Sequence, residues 1–161
     1  MADVFDRAKR SEVMSKIRGC GNKSTELVLV EAFREAHVTG WRRHVELRFR
    51  APARNGGSTR TEIVKIRPDF LFRAARLAVF VDGCFWHCCP LHSKVPNYNH
   101  EFWASKLLTN VERDKRATRI LRESGWRVFR VWEHELRDIG SVVRRFRQRL
   151  AIPPKVPAVQ Q

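Results

Sequence analysis

An apolar run, Val79-Phe80-Val81, passes through Asp82 and Gly83 into a short segment holding Cys84, Cys88, Cys89, His87, His92 and the aromatic pair Phe85-Trp86. This is not the composition of an ordinary strand end. Thiolate and imidazole together suit zinc, and Cys84, Cys89 and His92 are spaced so that a short closed loop can wrap one ion. A single free cysteine is usually a small buried hydrophobe, but three with a trailing histidine favour zinc. The fourth ligand has to come from elsewhere. Arg127 to Trp132 reads as a strand, and laid beside Val79 to Val81 it delivers His134 to the same end of the sheet. Cys84, Cys89, His92 and His134 then form a closed four-coordinate site, which is structural because it keeps no open position. Cys88 is the rival of Cys89.

The residues upstream suggest a second centre. Arg42 to Phe49 alternates apolar and charged residues and reads as one half-buried strand, and Ile63 to Phe72 reads as another, interrupted by Pro68. If Arg73 to Arg76 is a hairpin turn, antiparallel pairing sets Asp69 opposite Phe80, beside Val81 and Asp82. Two acids converging in a basic protein call for a cation, and Mg²⁺ is the natural one. The plain alternative is a turn residue and a strand cap.

Helical patterns frame these strands. Ser24 can cap a helix that begins at Glu26 and carries Leu27, Val28, Val30, Ala32, Phe33 and Ala36 on its core face. Asn97 to Gly125 is a long helical region with Trp103, Leu107, Leu108, Val111, Ile120 and Leu121 on its buried face. Lys106, Asn110 and Asp114 fall four apart on a polar face, a row that is either solvated or turned toward the cysteine loop. Ile139 to Leu150 reads as a basic amphipathic helix stopped by Pro153-Pro154.

Charge narrows the partners. Thirty-two Lys and Arg stand against seventeen Asp and Glu in 161 residues, a net charge of +15, and nucleic acid is the leading polyanion for such a surface. No apolar run approaches membrane-spanning length and no leader is evident, so an intracellular protein without a membrane partner is expected. Residues 1–23 read as a basic DNA-contacting arm, 24–150 as one domain, and 151–161 as a disordered tail. Cys20 has no assignment, and residues 50–62 read as a flexible loop.

Taken in order, several phrases resemble one family. They are Met1-Ala2-Asp3-Val4 with Arg10-Ser11 and Met14, Arg67-Pro68-Asp69-Phe70, Val81-Asp82-Gly83-Cys84-Phe85-Trp86-His87, Glu101-Phe102-Trp103, Asn110-Val111-Glu112-Arg113-Asp114, and Gly125-Trp126-Arg127-Val128 through Trp132-Glu133. Over roughly residues 1–137 the chain resembles the Vsr mismatch endonucleases of very-short-patch repair. The resemblance implies an α/β, restriction-endonuclease-like fold, a mixed central β-sheet flanked by helices, and makes 24–150 the endonuclease domain. It implies Mg²⁺-dependent nicking of double-stranded DNA 5′ of the thymine in T·G mismatches left by deamination of 5-methylcytosine. The enzyme would act as a monomer in the cytoplasm at the nucleoid, with repair proteins as possible partners. By similarity Asp69 and the Val81 carbonyl hold Mg²⁺, and His87 is the catalytic histidine. Glu26 and Asp114 support the site, and Phe85, Trp86 and Trp103 wedge into the duplex, with Lys106 and Asn110 also on the DNA side. Asp82 stands where some members carry histidine, and an acid there is expected to join the catalytic metal set. Residues 50–62 look like an insertion. Two other readings are a nicking enzyme with a different duplex target and a non-catalytic, zinc-pinned DNA-binding module.

Overall fold

The structure is a computed structural model that describes residues 25–53 and 60–153. The expected basic arm, Ser24, Cys20, the tip of the 50–62 loop and most of the tail lie outside the described residues. Chain order gives α1 (Glu26–Glu35), β1 (Trp41–Arg43), β2 (Leu47–Pro52), β3 (Thr61–Ile66), β4 (Phe70–Phe72) and β5 (Leu77–Asp82). These are followed by α2 (His100–Glu123), β6 (Arg127–Trp132), a 3-10 turn (Glu133–Asp138) and α3 (Ile139–Ala151).

The central sheet runs β1-β4-β5-β6 and is mixed: β5 and β6 are parallel, while β4 is antiparallel to both β1 and β5. Phe70 pairs with Val79 and Phe72 with Leu77, so the Arg73 to Arg76 turn has the expected register, and one further step sets Asp69 level with Phe80. Parallel pairing of Val81 with Val131 and Asp82 with Trp132 brings the two strand ends together. The loop after β5 and the turn after β6 therefore open at the same edge.

Two strand expectations need correcting. The run from Arg42 to Phe49 is split into β1 and β2, and the run from Ile63 to Phe72 into β3 and β4. In each case the halves enter different sheets, because β2 and β3 pair only with each other. His44, at φ +53°, turns the chain between β1 and β2. Between β3 and β4, Pro68 cannot donate to a ladder.

Alternation along the strands divides the core between the two faces of the sheet. Phe70, Phe72, Leu77, Val79, Phe129 and Val131 meet α1 and α3 through Leu29, Phe33, Val142 and Phe146. Phe33 is fully buried and stacks on Phe70, Phe72 and Phe146, with ring centroids 4.6–5.8 Å apart. The opposite face packs Leu71 and Ala78 against Ile120 and Leu121 of α2 and against Ala51 and Ile66 of the small sheet.

Two arginines close helix ends where carbonyls lack partners. Arg76 donates to the carbonyls of Ser124 (2.7 Å) and Gly125 (3.3 Å) at the end of α2, and Arg147 of α3 donates to Ala36 at the end of α1 (2.6 Å). On α2, Trp103, Leu107, Ile120 and Leu121 are buried as expected, but Leu108 is 59% exposed and Asn110 is buried in its place. The reason lies in the loop after β5, which needs a donor at that position.

Candidate functional site

The edge at which β5 and β6 end carries three groups of side chains. The first gathers the sulfur and nitrogen ligands. Cys84, Cys89, His92 and His134 place one ligand atom each within 4.8 Å of one another. Cys84 Sγ lies 3.3 Å from His134 Nδ1, and Cys89 Sγ lies 3.5 Å and 3.6 Å from the Nδ1 atoms of His134 and His92. Tetrahedral zinc, with bonds of about 2.3 Å to sulfur and about 2.0 Å to nitrogen, requires sulfur–nitrogen edges of about 3.5 Å. The donor set and spacing thus fit such an ion. Cys89 is buried within the cluster, whereas Cys88, at φ +55°, is not part of it. Burial pushes the Cys84 thiol up, and neighbouring Cys89 adds to this, against a lowering backbone bond from His134.

The second group surrounds Asp69. Its Oδ2 accepts the Val81 N–H at 2.7 Å, and Glu26 and His44 bring their own ligand atoms within 4.8 Å of it. Burial raises the Asp69 carboxyl to about 7; the Val81 bond opposes this, and the charges of Glu26 and Asp82 reinforce it. Glu26, buried in the first turn of α1, is paired to Arg43 at 2.6 Å and to His44 Nε2 at 3.0 Å. Two carboxylates and an imidazole make a donor set that fits a divalent cation of the Mg²⁺ or Mn²⁺ type.

The third group lies on the face of α2. His87 Nδ1 donates to Asp114 Oδ2 and sits 3.6 Å from Asp82 Oδ1. Asp114 is pushed up by burial, yet its bond with His87 and the charges of Arg130 and Arg113 outweigh this, and its carboxyl ends below the usual range. Asp82, expected in the catalytic metal set, lies outside the Asp69 group and is paired to Arg130. Both of its oxygens accept from Arg130, at 2.6 Å each, so the guanidinium is the partner that holds this carboxylate. These residues line an open cleft of about 520 Å³, which also carries Lys115, Arg119 and Arg122. Among the described residues no hydrogen bond or ion pair joins Asp69 to His87. Asp82, whose charge acts on Asp69 and whose carboxylate flanks His87, stands between them.

The polar row on α2 is only partly turned toward the loop. Asn110 donates to the Trp86 carbonyl at 3.1 Å and Asp114 holds His87, while Lys106 stays exposed. Residues 84–88 form a turn, and Phe85 and Trp86 touch edge to face at 5.1 Å. Trp103, only 9% exposed, backs both rings. Exposed Phe102 joins the cluster at 5.3 Å from Trp103. Arg43, His44, Phe102 and Arg130 had no role in the sequence reading. Arg43 and His44 reach Glu26 only because the chain turns after β1, and Arg130 looks like any polar residue of an alternating strand.

Residues 56–92 match the family described as DNA mismatch endonuclease Vsr. The chain is 54% identical over 81 residues to Type II nicking enzyme V.NaeI of Lentzea aerocolonigenes, which covers 50% of this chain and 49% of that protein. It is 38% identical over 141 residues to DNA mismatch endonuclease Vsr of Escherichia coli K12, covering 85% and 77%. Identity to Type II nicking enzyme V.NmeAIP of Neisseria meningitidis is 32% over 141 residues, covering 86% of each. The chain thus spans about half of the first relative and most of the other two. With 38% identity over 85% of its length to one member, and with the family match covering β4, β5 and the loop of the sheet edge, the chain belongs to the Vsr family of DNA mismatch endonucleases.

Proposed function

We propose that this endodeoxyribonuclease nicks duplex DNA 5′ of the thymine in a T·G mismatch, with Mg²⁺ at Asp69 and the Val81 carbonyl and zinc at Cys84, Cys89, His92 and His134. The observation that carries the reading is the pairing, at one sheet edge, of a buried acid group with an imidazole oriented by a second acid. The domain, restriction-endonuclease-like on this reading, acts as a monomer inside the cell at the nucleoid. A divalent cation bound here supplies positive charge to the phosphate oxygens and acidifies a water.

The chain's own residues divide the remaining work. Asp69 gives up its proton to become a ligand, and Glu26, held by Arg43 and His44, sets the charge beside it. Asp114 fixes His87 through Nδ1, which leaves Nε2 as the ring nitrogen that exchanges a proton at the reacting phosphate. The sulfur and imidazole cluster brackets His87 in sequence and pins its loop. Asn110 shapes that loop through Trp86, and exposed Lys106 lies against the DNA backbone. Phe85 and Trp86, stiffened from behind by Trp103, enter the duplex where the mispair lowers the cost of unstacking, a few kcal/mol at an ordinary step.

Nicking of otherwise identical duplexes with and without a T·G pair, in Mg²⁺, tests the reading, with Asp69→Ala as control. The expected result is strand-specific nicking of the mismatched duplex alone, lost in the variant. Because two relatives are named as nicking enzymes without reference to a mismatch, a different duplex target is the second reading. Equal nicking of the matched duplex would select it.

A further inference from the structure

Arg130 stands in the middle of β6, level with Phe80 on the neighbouring strand. Its Nε and Nη2 each bond one oxygen of Asp82, and its Nη1 donates to Thr118 Oγ1 of α2 at 3.2 Å. The Phe80 ring covers the guanidinium at 4.8 Å. Its Nη2 also lies 3.6 Å from Asp114 Oδ2, the oxygen that His87 takes. Hence one guanidinium spans both acids flanking the His87 imidazole, with its donors turned inward onto protein acceptors and its face against a ring. A cation meant for a DNA phosphate would keep donors free.

We infer that Arg130 is a positioning residue, which occupies Asp82 so that the His87 ring has a single acid partner, Asp114. The inference rests on the reading above, in which His87 acts at the phosphate. Without the guanidinium, Asp82 would be a buried, unpaired carboxylate 3.6 Å from His87 Nδ1 and would compete with Asp114 for the same N–H. The imidazole would then be shared between two orientations. A lysine cannot replace the fork, because its point charge cannot hold both oxygens in one plane.

The test uses the full-length protein under single-turnover conditions on a T·G duplex. Arg130→Gln and Arg130→Lys should each nick about 10- to 100-fold more slowly at saturating DNA, with half-saturation and its salt dependence unchanged. Arg130→Gln combined with Asp82→Asn removes the stranded charge, and should nick about tenfold faster than Arg130→Gln alone. A raised half-saturation and a flatter salt dependence in Arg130→Gln, at unchanged maximal rate, would instead make Arg130 a phosphate contact. A double variant no faster than the single would also overturn the inference. If Arg130→Gln does not fold, the double variant, which buries no unpaired charge, carries the comparison with the parent.

A second readout needs no cleavage. In DNA-free protein, ¹⁵N NMR should show His87 protonated at Nδ1 in one ring state, and two states in Arg130→Gln. One state in both would refute the positioning role. A protein that nicks neither duplex but changes ring state as expected would sink the functional reading and leave the positioning role standing.

Discussion

Asp69 holds its proton up to a pH of about 7 because it is buried and faces Glu26 and Asp82, while a single N–H, that of Val81, favours its charged form. A carboxyl raised in the folded state contributes stability that is fully present below the unfolded value, about 4, and is lost as pH rises through about 7. Metal-free protein should therefore lose stability relative to Asp69→Asn between pH 4 and pH 8, by an amount on the order of a few kcal/mol. Denaturant midpoints across that range measure it, and saturating Mg²⁺ should restore only the parent. Equal pH slopes in the two proteins would contradict the assignment. At the other cluster, Cys84→Ser and His134→Ala should each lose the bound zinc and much of the stability, since closed sites contribute folding free energy. Metal analysis finding one zinc per chain in both variants would discard the ligand set. At this scale the sequence was informative where residue type limits chemistry, as with the cysteines and histidines. It was silent on the pairing of Asp82 with Arg130, which depends on two strands lying side by side.

At the scale of elements, the turn between β4 and β5 and the parallel pairing of β5 with β6 were both legible. The first follows from the length of the Arg73 to Arg76 turn, the second from an apolar strand that needed a neighbour on its open side. The break at Pro68 was legible in the residue type, but the one between β1 and β2 was not, since alternation survives a change of sheet and only the backbone turn at His44 reveals it. On α2, helical spacing sets Asn110 on the stripe of Trp103 and Leu107 and Leu108 off it, but residue type favoured the leucine for the core. The loop's need for a donor to Trp86 decided between them. Arg76 joins elements distant in sequence by closing the end of α2 from the β4–β5 turn. Arg76→Ala should lower unfolding free energy by about 1–2 kcal/mol, measured by urea denaturation, while nicking at 25 °C stays near that of the parent. A loss below about 0.3 kcal/mol would show that water caps the helix as well.

For the molecule as a whole, the charge of +15 is the property most simply read from composition. Its consequence is a DNA affinity that falls linearly with salt on logarithmic axes, the slope counting the phosphates neutralised, at about 0.9 each. If the aromatic cluster acts as proposed, a matched and a mismatched duplex should share that slope and differ in offset, because unstacking at a mispair involves no added charge. Binding isotherms between 50 and 200 mM salt would check this, and a salt-independent affinity would refute a backbone-dominated interface. No helix among the described residues is long and apolar enough to cross a membrane. In the chain His87 stands between Cys84 and Cys89, so the imidazole proposed to act at the phosphate hangs from the same few residues as the thiols of the cluster. A mild oxidant such as peroxide, which attacks thiolates first, should therefore silence cutting and at the same time take away the folding free energy that the closed cluster contributes.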